Sequence, residues 1–227
     1  MPLDVGLDMT TWGFIGSGNI GSTVARLAVD AGHGVVMSNS RGPETLADLV
    51  ADIGPSATAG TTADAAGADV VVVTIPLGQY RSIDPDMLSG KLLIDTMNYY
   101  PGRDGDIPEV AAGMPSSELV AHHFAHSSVV KAFNNIFFQH LASLPRPSGA
   151  ADRSALPIAG EATQPVADLL DQIGYDAVDV GSLADSWRSQ PDTPVYGTPY
   201  AADPADWTAG ATPAGIDVIA AAVAAAG

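Results

Sequence analysis

Short apolar runs alternate along this chain with longer amphipathic ones, and glycine or proline stands at most of the joins. The run TTWGFIGSG, residues 10–18, reads as a buried strand entering a glycine turn. In NIGSTVARLAVDAGH, residues 19–33, Ile20, Val24, Leu27 and Ala28 recur at helical spacing and Gly32 stops the run. GVVMSNS (34–40) predicts a second strand, and PETLADLVADIG (43–54) a helix opened by Pro43 and closed by Gly54. The continuous apolar run ADVVVVTIP (68–76) suits a strand covered on both faces, as in a parallel sheet. KLLIDTMN (91–98) and SVVKAFNN (128–135) predict further strands of that kind. Strands alternating with helices, without hairpin signals, predict a doubly wound α/β domain with a parallel sheet, a Rossmann architecture.

The alternation continues more weakly in a small C-terminal region: a strand at ALPIAG (155–160), a helix at 161–174 and a strand at YDAVDVG (175–181). Past Gly181 the chain turns irregular and rich in Pro, Tyr and Trp, then ends in an Ala-rich helical pattern over 212–227. A hinge is expected near LPRPSGAADRS (144–154), dividing the chain into residues 1–148, a nucleotide-binding domain, and 149–227, a small α/β and helical region for substrate or dimer contact. Because the first strand starts near Thr10, Met1 to Asp8 read as a loose extension, with Met9 an alternative start.

The turn after the first strand carries chemistry. Gly16-Ser17-Gly18-Asn19-Ile20-Gly21 is G-x-G-x-x-G between a predicted strand and a predicted helix, the context that makes this pattern a dinucleotide site. Gly16 permits the tight turn, Gly18 clears the backbone for a pyrophosphate, and Gly21 lets helix and strand pack closely. The amides of Ser17 to Ile20 point at the phosphates from a helix N-terminus.

The end of the second strand selects the cofactor. NAD sites place an acid there to accept from the ribose hydroxyls. Residues 38–41 are Ser38, Asn39, Ser40 and Arg41, with Glu44 the first acid. Ser40 and Arg41 can donate to a 2′-phosphate, with Asn39 and Thr45 as further donors, so NADP(H) is expected over NAD(H). Strand ends on the carboxyl side line the crevice of such sheets. They nominate Thr74, Ile75 and Pro76, then Met97 and Asn98, then Ala132, Phe133 and Asn134.

Charge sharpens this picture. The net charge is −17, with nine Lys and Arg residues and lysine only at positions 91 and 131. Such a surface repels nucleic acid and anionic membranes, so any phosphate site must supply its own positive field. No apolar run reaches the roughly 18 residues of a membrane helix, MPLDVGLD shows no signal-peptide pattern, and cysteine is absent. A cytoplasmic protein with small-molecule partners is expected, and the apolar C-terminal helix suggests a homodimer.

Three groupings stay open at this level. Lys131 and Asn134 form K-x-x-N, a spacing used by β-hydroxyacid dehydrogenases, set against a lysine that snorkels from a strand. His122, His123 and His126 have helical spacing for a metal, set against a plain surface helix. Tyr99, Tyr100, Trp187, Arg188, Tyr196 and Tyr200 suit a pocket for a flat anionic ligand, a packed loop or a subunit contact.

Together, GFIGSGNIG, SNSRGPETL, VVVTIP, IDTMNYYPGRDG, VVKAFNNI and VGSLADSWRSQPDTPVYG resemble the bacterial branch of the deazaflavin (coenzyme F-420)-dependent NADP reductase family, from about Thr10 to about Tyr200. The resemblance implies hydride exchange between NADP(H) and coenzyme F-420. It implies phosphate contacts at Ser17 to Ile20, 2′-phosphate contacts at Ser40 and Arg41, and further contacts near Ile75 and at Ala132. Archaeal members carry a lysine where this chain offers Thr45, and they lack one at Lys131. Such chemistry needs two flat rings stacked at about 3 to 3.5 Å and water excluded, and no side chain is nominated as catalytic. Reduction of a flavin, imine or small carbonyl, and a non-catalytic NADP(H)-sensing role, are the alternatives.

Overall fold

The computed structural model describes residues 9–227; the expectations for residues 1–8 lie outside it. Eight strands form one sheet: β1 (Thr11–Ile15), β2 (Gly34–Ser38), β3 (Ala57–Ala59), β4 (Val70–Val73), β5 (Leu92–Asp95), β6 (Ser128–Lys131), β7 (Ala155–Gly160) and β8 (Asp176–Gly181). Their spatial order is β3-β2-β1-β4-β5-β6-β7-β8. Helices α1 (Asn19–Asp30), α2 (Ala47–Ile53), α3 (Thr62–Ala66), α4 (Pro101–Asp104), α5 (Pro108–Ala111), α6 (Ser116–His123), α7 (Phe138–Ser143), α8 (Thr163–Gln172) and α9 (Ile216–Ala224) join or cover the strands.

The first six strands run parallel in the doubly wound order, so the topological switch point lies between β1 and β4. The four valines of β4 are fully buried, because helices cover both faces of the sheet there. Two apolar clusters result, one per face: Trp12, Phe14, Val70 and Val72 belong to one, Ile15, Val71 and Val73 to the other. Period-two alternation of side chains across the strands produces that division.

The sheet departs from the expected parallel arrangement at one edge. β7 runs antiparallel to β6, and β8 runs parallel to β7 around α8. The β6-to-β7 connection carries α7, a helix of six residues and therefore about 9 Å long, in place of a full crossover helix. In the segment expected as a hinge, residues 147–149, 151 and 152 are exposed, while Arg153 is buried and its guanidinium donates to the carbonyls of Asp171 and Tyr175 at 2.9 and 2.8 Å. α9 packs against β7 and β8 and leaves Ile216 and Val218 half exposed. The short β3, α4 and α5 have too few residues for a periodic pattern and were not expected from sequence.

Candidate functional site

At the switch point the chain leaves β1 through Gly16, which sits at φ +116°; a Cβ there would lie 2.3 Å from the Thr74 carbonyl oxygen. A Cβ on Gly21 would lie 2.6 Å from Thr74 Cγ2, so α1 approaches the end of β4 more closely than any side chain allows. Gly18 faces open space, with no heavy atom within 4 Å of where its Cβ would stand. Gly18 caps α1 without a side-chain partner, and no acid occupies the first turn. The unpartnered amides of that turn present a positive end to the opening, a cradle that fits a pyrophosphate.

Asn39 shapes the loop after β2. Its Oδ1 accepts from the amides of Arg41 and Gly42 at 2.9 and 3.0 Å, and its Nδ2 donates to Thr45 Oγ1 at 3.0 Å. Thr45 Oγ1 donates in turn to the Gly42 carbonyl at 2.8 Å. Ser40 and Arg41 project from this loop, both exposed.

Beside the cradle opens a cleft of about 340 Å³. Gly18, Asn19 and Ile20 form one side, and the strand ends Thr74–Pro76, Thr96–Asn98 and Phe133 form its floor. Phe137, Phe138, Tyr100, Tyr196 and Trp207 close the rest. Phe133 sits at φ +60°, a left-handed conformation that is rare for a bulky residue and that concentrates at functional sites. Asn98 and Asn134 lock the ends of β5 and β6 together: Asn98 Nδ2 donates to the Asn134 carbonyl at 2.7 Å, and Asn134 Nδ2 donates to Asn98 Oδ1 at 3.1 Å.

The aromatic wall is held by a second network. The Asp104 carboxylate is fully buried and accepts from the amides of Gly78 and Tyr100 at 3.2 and 2.8 Å, and from Arg103 at 2.8 Å. Burial alone would raise this carboxyl, but the Arg103, Tyr100 and Gly78 donors outweigh it and hold it below the ordinary carboxylate range. Arg103 also donates to the Asn98 carbonyl at 2.7 Å and lies 4.8 Å over the Tyr100 ring. The Tyr100 hydroxyl meets that of Tyr196, 96 residues away, in a hydrogen bond. Burial, then the Tyr100 hydrogen bond, push the Tyr196 phenol well above its ordinary range. Tyr196 and Trp207 stand 5.9 Å apart, ring to ring. Their backbone approaches this closely because residue 197 is glycine: at φ +71°, a Cβ there would overlap the Trp207 ring at 2.1 Å.

A solved structure, the hypothetical protein SMa0349 from Sinorhizobium meliloti, is 31% identical to this chain, with a TM-score of 0.72 over 82% of this chain and 93% of that one. Residues 11–99 match the family model described as NADP oxidoreductase, coenzyme F420-dependent. This chain belongs to that family. A "putative F420 dependent NADP-reductase" from Arthrobacter sp. FB24 is 24% identical over 79% of this chain and 87% of that one, at a TM-score of 0.65. Over 53 residues this chain is also 43% identical to the "Putative protein YjhV" of Escherichia coli (strain K12), a match spanning 22% of this chain and 39% of that one.

The structure of this family member sorts the residues nominated from sequence. Gly18, Asn19, Ile20, Thr74, Ile75, Pro76 and Asn98 line the cleft, and Gly16, Ser17 and Gly21 shape the turn beside it. Ser38 is placed otherwise. It is fully buried, its hydroxyl donates to the Phe14 carbonyl at 2.8 Å, and its own carbonyl accepts from the Gly16 amide at 3.0 Å. It therefore braces the glycine turn from within the sheet. Ala132 and its neighbour Phe133 are both fully buried, and of the two only Phe133 contributes to the cleft floor.

Lys131 does not snorkel. It is 1% exposed, its ammonium donates to Asp95 Oδ2 at 3.1 Å and to the Met97 carbonyl, and burial pulls its pKa below the ordinary lysine range against the pull of Asp95. It thus ties β5 to β6 beneath the cleft floor. His122 and His126 are exposed, while His123 donates to the Ile83 carbonyl at 2.9 Å; no metal-binding group of three or more His, Asp or Glu occurs among the described residues. Of the aromatic candidates, Tyr100 and Tyr196 line the cleft. Tyr200 is core, donating to the Ala155 carbonyl at 2.8 Å, and Trp187 stacks with Arg188 outside the cleft. Arg103, Phe137 and Trp207 went unnamed in sequence, where only Arg103, inside IDTMNYYPGRDG, stood in a recognisable motif. No helix among the described residues is long and apolar enough to cross a membrane.

Proposed function

We propose that this chain binds NADP(H) across the switch point and exchanges a hydride with a flat conjugated acceptor held against the aromatic wall, a deazaflavin of the F-420 type being the first candidate. Arg41 carries the nucleotide half of this reading. The chain has nine cationic side chains. Arg26, Arg81, Arg103, Lys131, Arg146 and Arg153 pair with carboxylates, Lys91 donates to backbone carbonyls, and Arg188 stacks on Trp187. Arg41 is exposed and, among the described residues, its guanidinium has no ion pair, hydrogen bond or aromatic partner. An unengaged guanidinium at the end of β2 in so acidic a chain suits a 2′-phosphate, and Ser40 stands next to it.

The acceptor half rests on the cleft. Flat rings of Phe137, Tyr100, Tyr196 and Trp207 surround a space with Arg103 at its edge, a setting for a planar, anionic ligand. The family description and the name of the Arthrobacter protein support a deazaflavin. NADP(H), when bound, supplies the hydride; the chain's residues align the rings and keep water out.

Calorimetry with NADPH and NADH tests the first half, with tighter binding of NADPH expected; a preference for NADH overturns it. Anaerobic mixing of protein, NADPH and oxidised deazaflavin, then FMN, imines and small carbonyls, tests the second. Turnover with the deazaflavin alone is expected. Turnover only with another acceptor reassigns the substrate, and tight NADPH binding with no turnover on any acceptor makes the protein a nucleotide sensor.

A further inference from the structure

We propose that Tyr196 and Tyr100 form a proton relay into the cleft, so that the acceptor belongs to the class whose reduction takes up a proton as well as a hydride. The inference rests on the hydride-transfer reading and adds to it an acid. Both phenols line the cleft, on the same opening as the nucleotide turn and the β4 end. Their hydroxyls share a hydrogen bond in which either oxygen can be the donor, so a proton passes between them without movement of the backbone.

The two ends differ in solvent access as a relay requires. Tyr196 is half-buried, whereas Tyr100 is 37% exposed. Burial keeps Tyr196 protonated through neutral and moderately alkaline pH, so it gives up its proton only to an atom that becomes strongly basic as the hydride arrives. Tyr100 is held in place by Arg103 over its ring and by the Asp104 carboxylate on its amide. Among the described residues, the hydroxyls of Tyr100 and Tyr196 bond only each other, unlike those of Tyr99, Tyr175 and Tyr200, which each donate to a carbonyl.

In the relayed step the acceptor gains a hydride at carbon, a C–H bond forming as the nicotinamide C–H bond of NADPH breaks. The electron pair displaced within the acceptor moves onto a nitrogen or oxygen, which takes the Tyr196 proton. The resulting phenolate takes the Tyr100 proton, and Tyr100 regains one from water. The sum is NADPH, acceptor and one proton giving NADP⁺ and the reduced acceptor.

The test uses Tyr196→Phe and Tyr100→Phe in the full chain, with NADPH affinity followed by fluorescence and turnover measured on oxidised deazaflavin and on FMN. Tyr196→Phe should bind NADPH as the wild type does and lose at least about a hundredfold in kcat, the low end for a general acid. Wild-type kcat should stay level from pH 7 to pH 9, whereas the variant's should fall as pH rises and recover with the concentration of buffer acid. A second readout needs no turnover: with tyrosine labelled at Cζ, the resonance lost in Tyr196→Phe should shift in Tyr100→Phe. An unmoved resonance overturns the relay. So does an unchanged, pH-independent kcat in Tyr196→Phe. Failure of the wild type to bind NADPH at all would instead strike at the nucleotide reading, while the resonance test still judges the pair.

Discussion

The nucleotide turn and the aromatic wall face each other across one cleft but are made in opposite ways. The turn is local: Gly16, Gly18 and Gly21 lie within six residues, Gly16 and Gly21 glycine because a Cβ would meet Thr74, and Gly18 open to the cleft. The wall is assembled from afar, with Tyr100 meeting Tyr196 across 96 residues, and Phe137 standing 6.3 Å from Trp207. The local half has backbone amides and absent side chains as its tools. The distant half has ring faces, a buried carboxylate and hydroxyls. A fold can therefore keep its glycine cradle while the wall across the cleft is rebuilt.

The strongest way to break this comparison is Gly21→Val. Its Cβ alone overlaps Thr74 Cγ2 and the Gly16 carbonyl, so α1 must shift, costing about 3 kcal/mol. NADPH binding by calorimetry should disappear; retained binding would show the turn to be less exacting than its geometry implies. Gly197→Ala is the counterpart on the wall. Overlap with Trp207 and a positive φ together should cost about 2–4 kcal/mol, shift the tryptophan emission and raise the acceptor KM, with NADPH affinity within about twofold. A parallel loss of NADPH affinity would mean that the two halves are mechanically one.

Arg41→Ala should weaken NADPH by roughly ten- to a hundredfold, or about 1.5–3 kcal/mol, and leave NADH unchanged. Equal loss for both nucleotides would give Arg41 a different role. The smallest effect concerns pH. The Asp104 carboxyl is held below the ordinary carboxylate range in the fold, so its contribution is full above that range and is lost as pH falls through the lower, folded value. In an acid titration of tryptophan fluorescence, Asp104→Asn should be less stable than the wild type at pH 6, and the gap should close as pH falls below the ordinary carboxylate range. A gap that persists in strong acid would show that Asp104 stabilises the wall other than through its charge.

Legibility followed the same division. The Gly16–Gly21 turn, the valines of β4 and the acid-free end of β2 were readable because their meaning depends on neighbours in sequence. Ser38 reads as a cofactor contact yet lies inside the sheet, because period two fixes that a strand residue faces one side or the other, whereas its neighbours decide which. Lys131 looks like a surface cation in sequence because its partner Asp95 lies 36 residues earlier.

By itself, then, the sequence determined a doubly wound sheet, a glycine cradle at the end of its first strand and an acid-free loop carrying Arg41 after its second. Apolar periodicity and the steric demands of glycine act over a few residues, so they are written in order along the chain. Only the tertiary structure decided that β7 turns back against β6, that Lys131 is buried with Asp95, and that Tyr100, Arg103, Tyr196 and Trp207 close the cleft. The wall closes because the chain's last third folds back onto the carboxyl edge of the sheet, and Lys131 meets Asp95 because β5 and β6 are neighbours in register. Burial and hydrogen bonding between distant segments have no linear pattern to betray them.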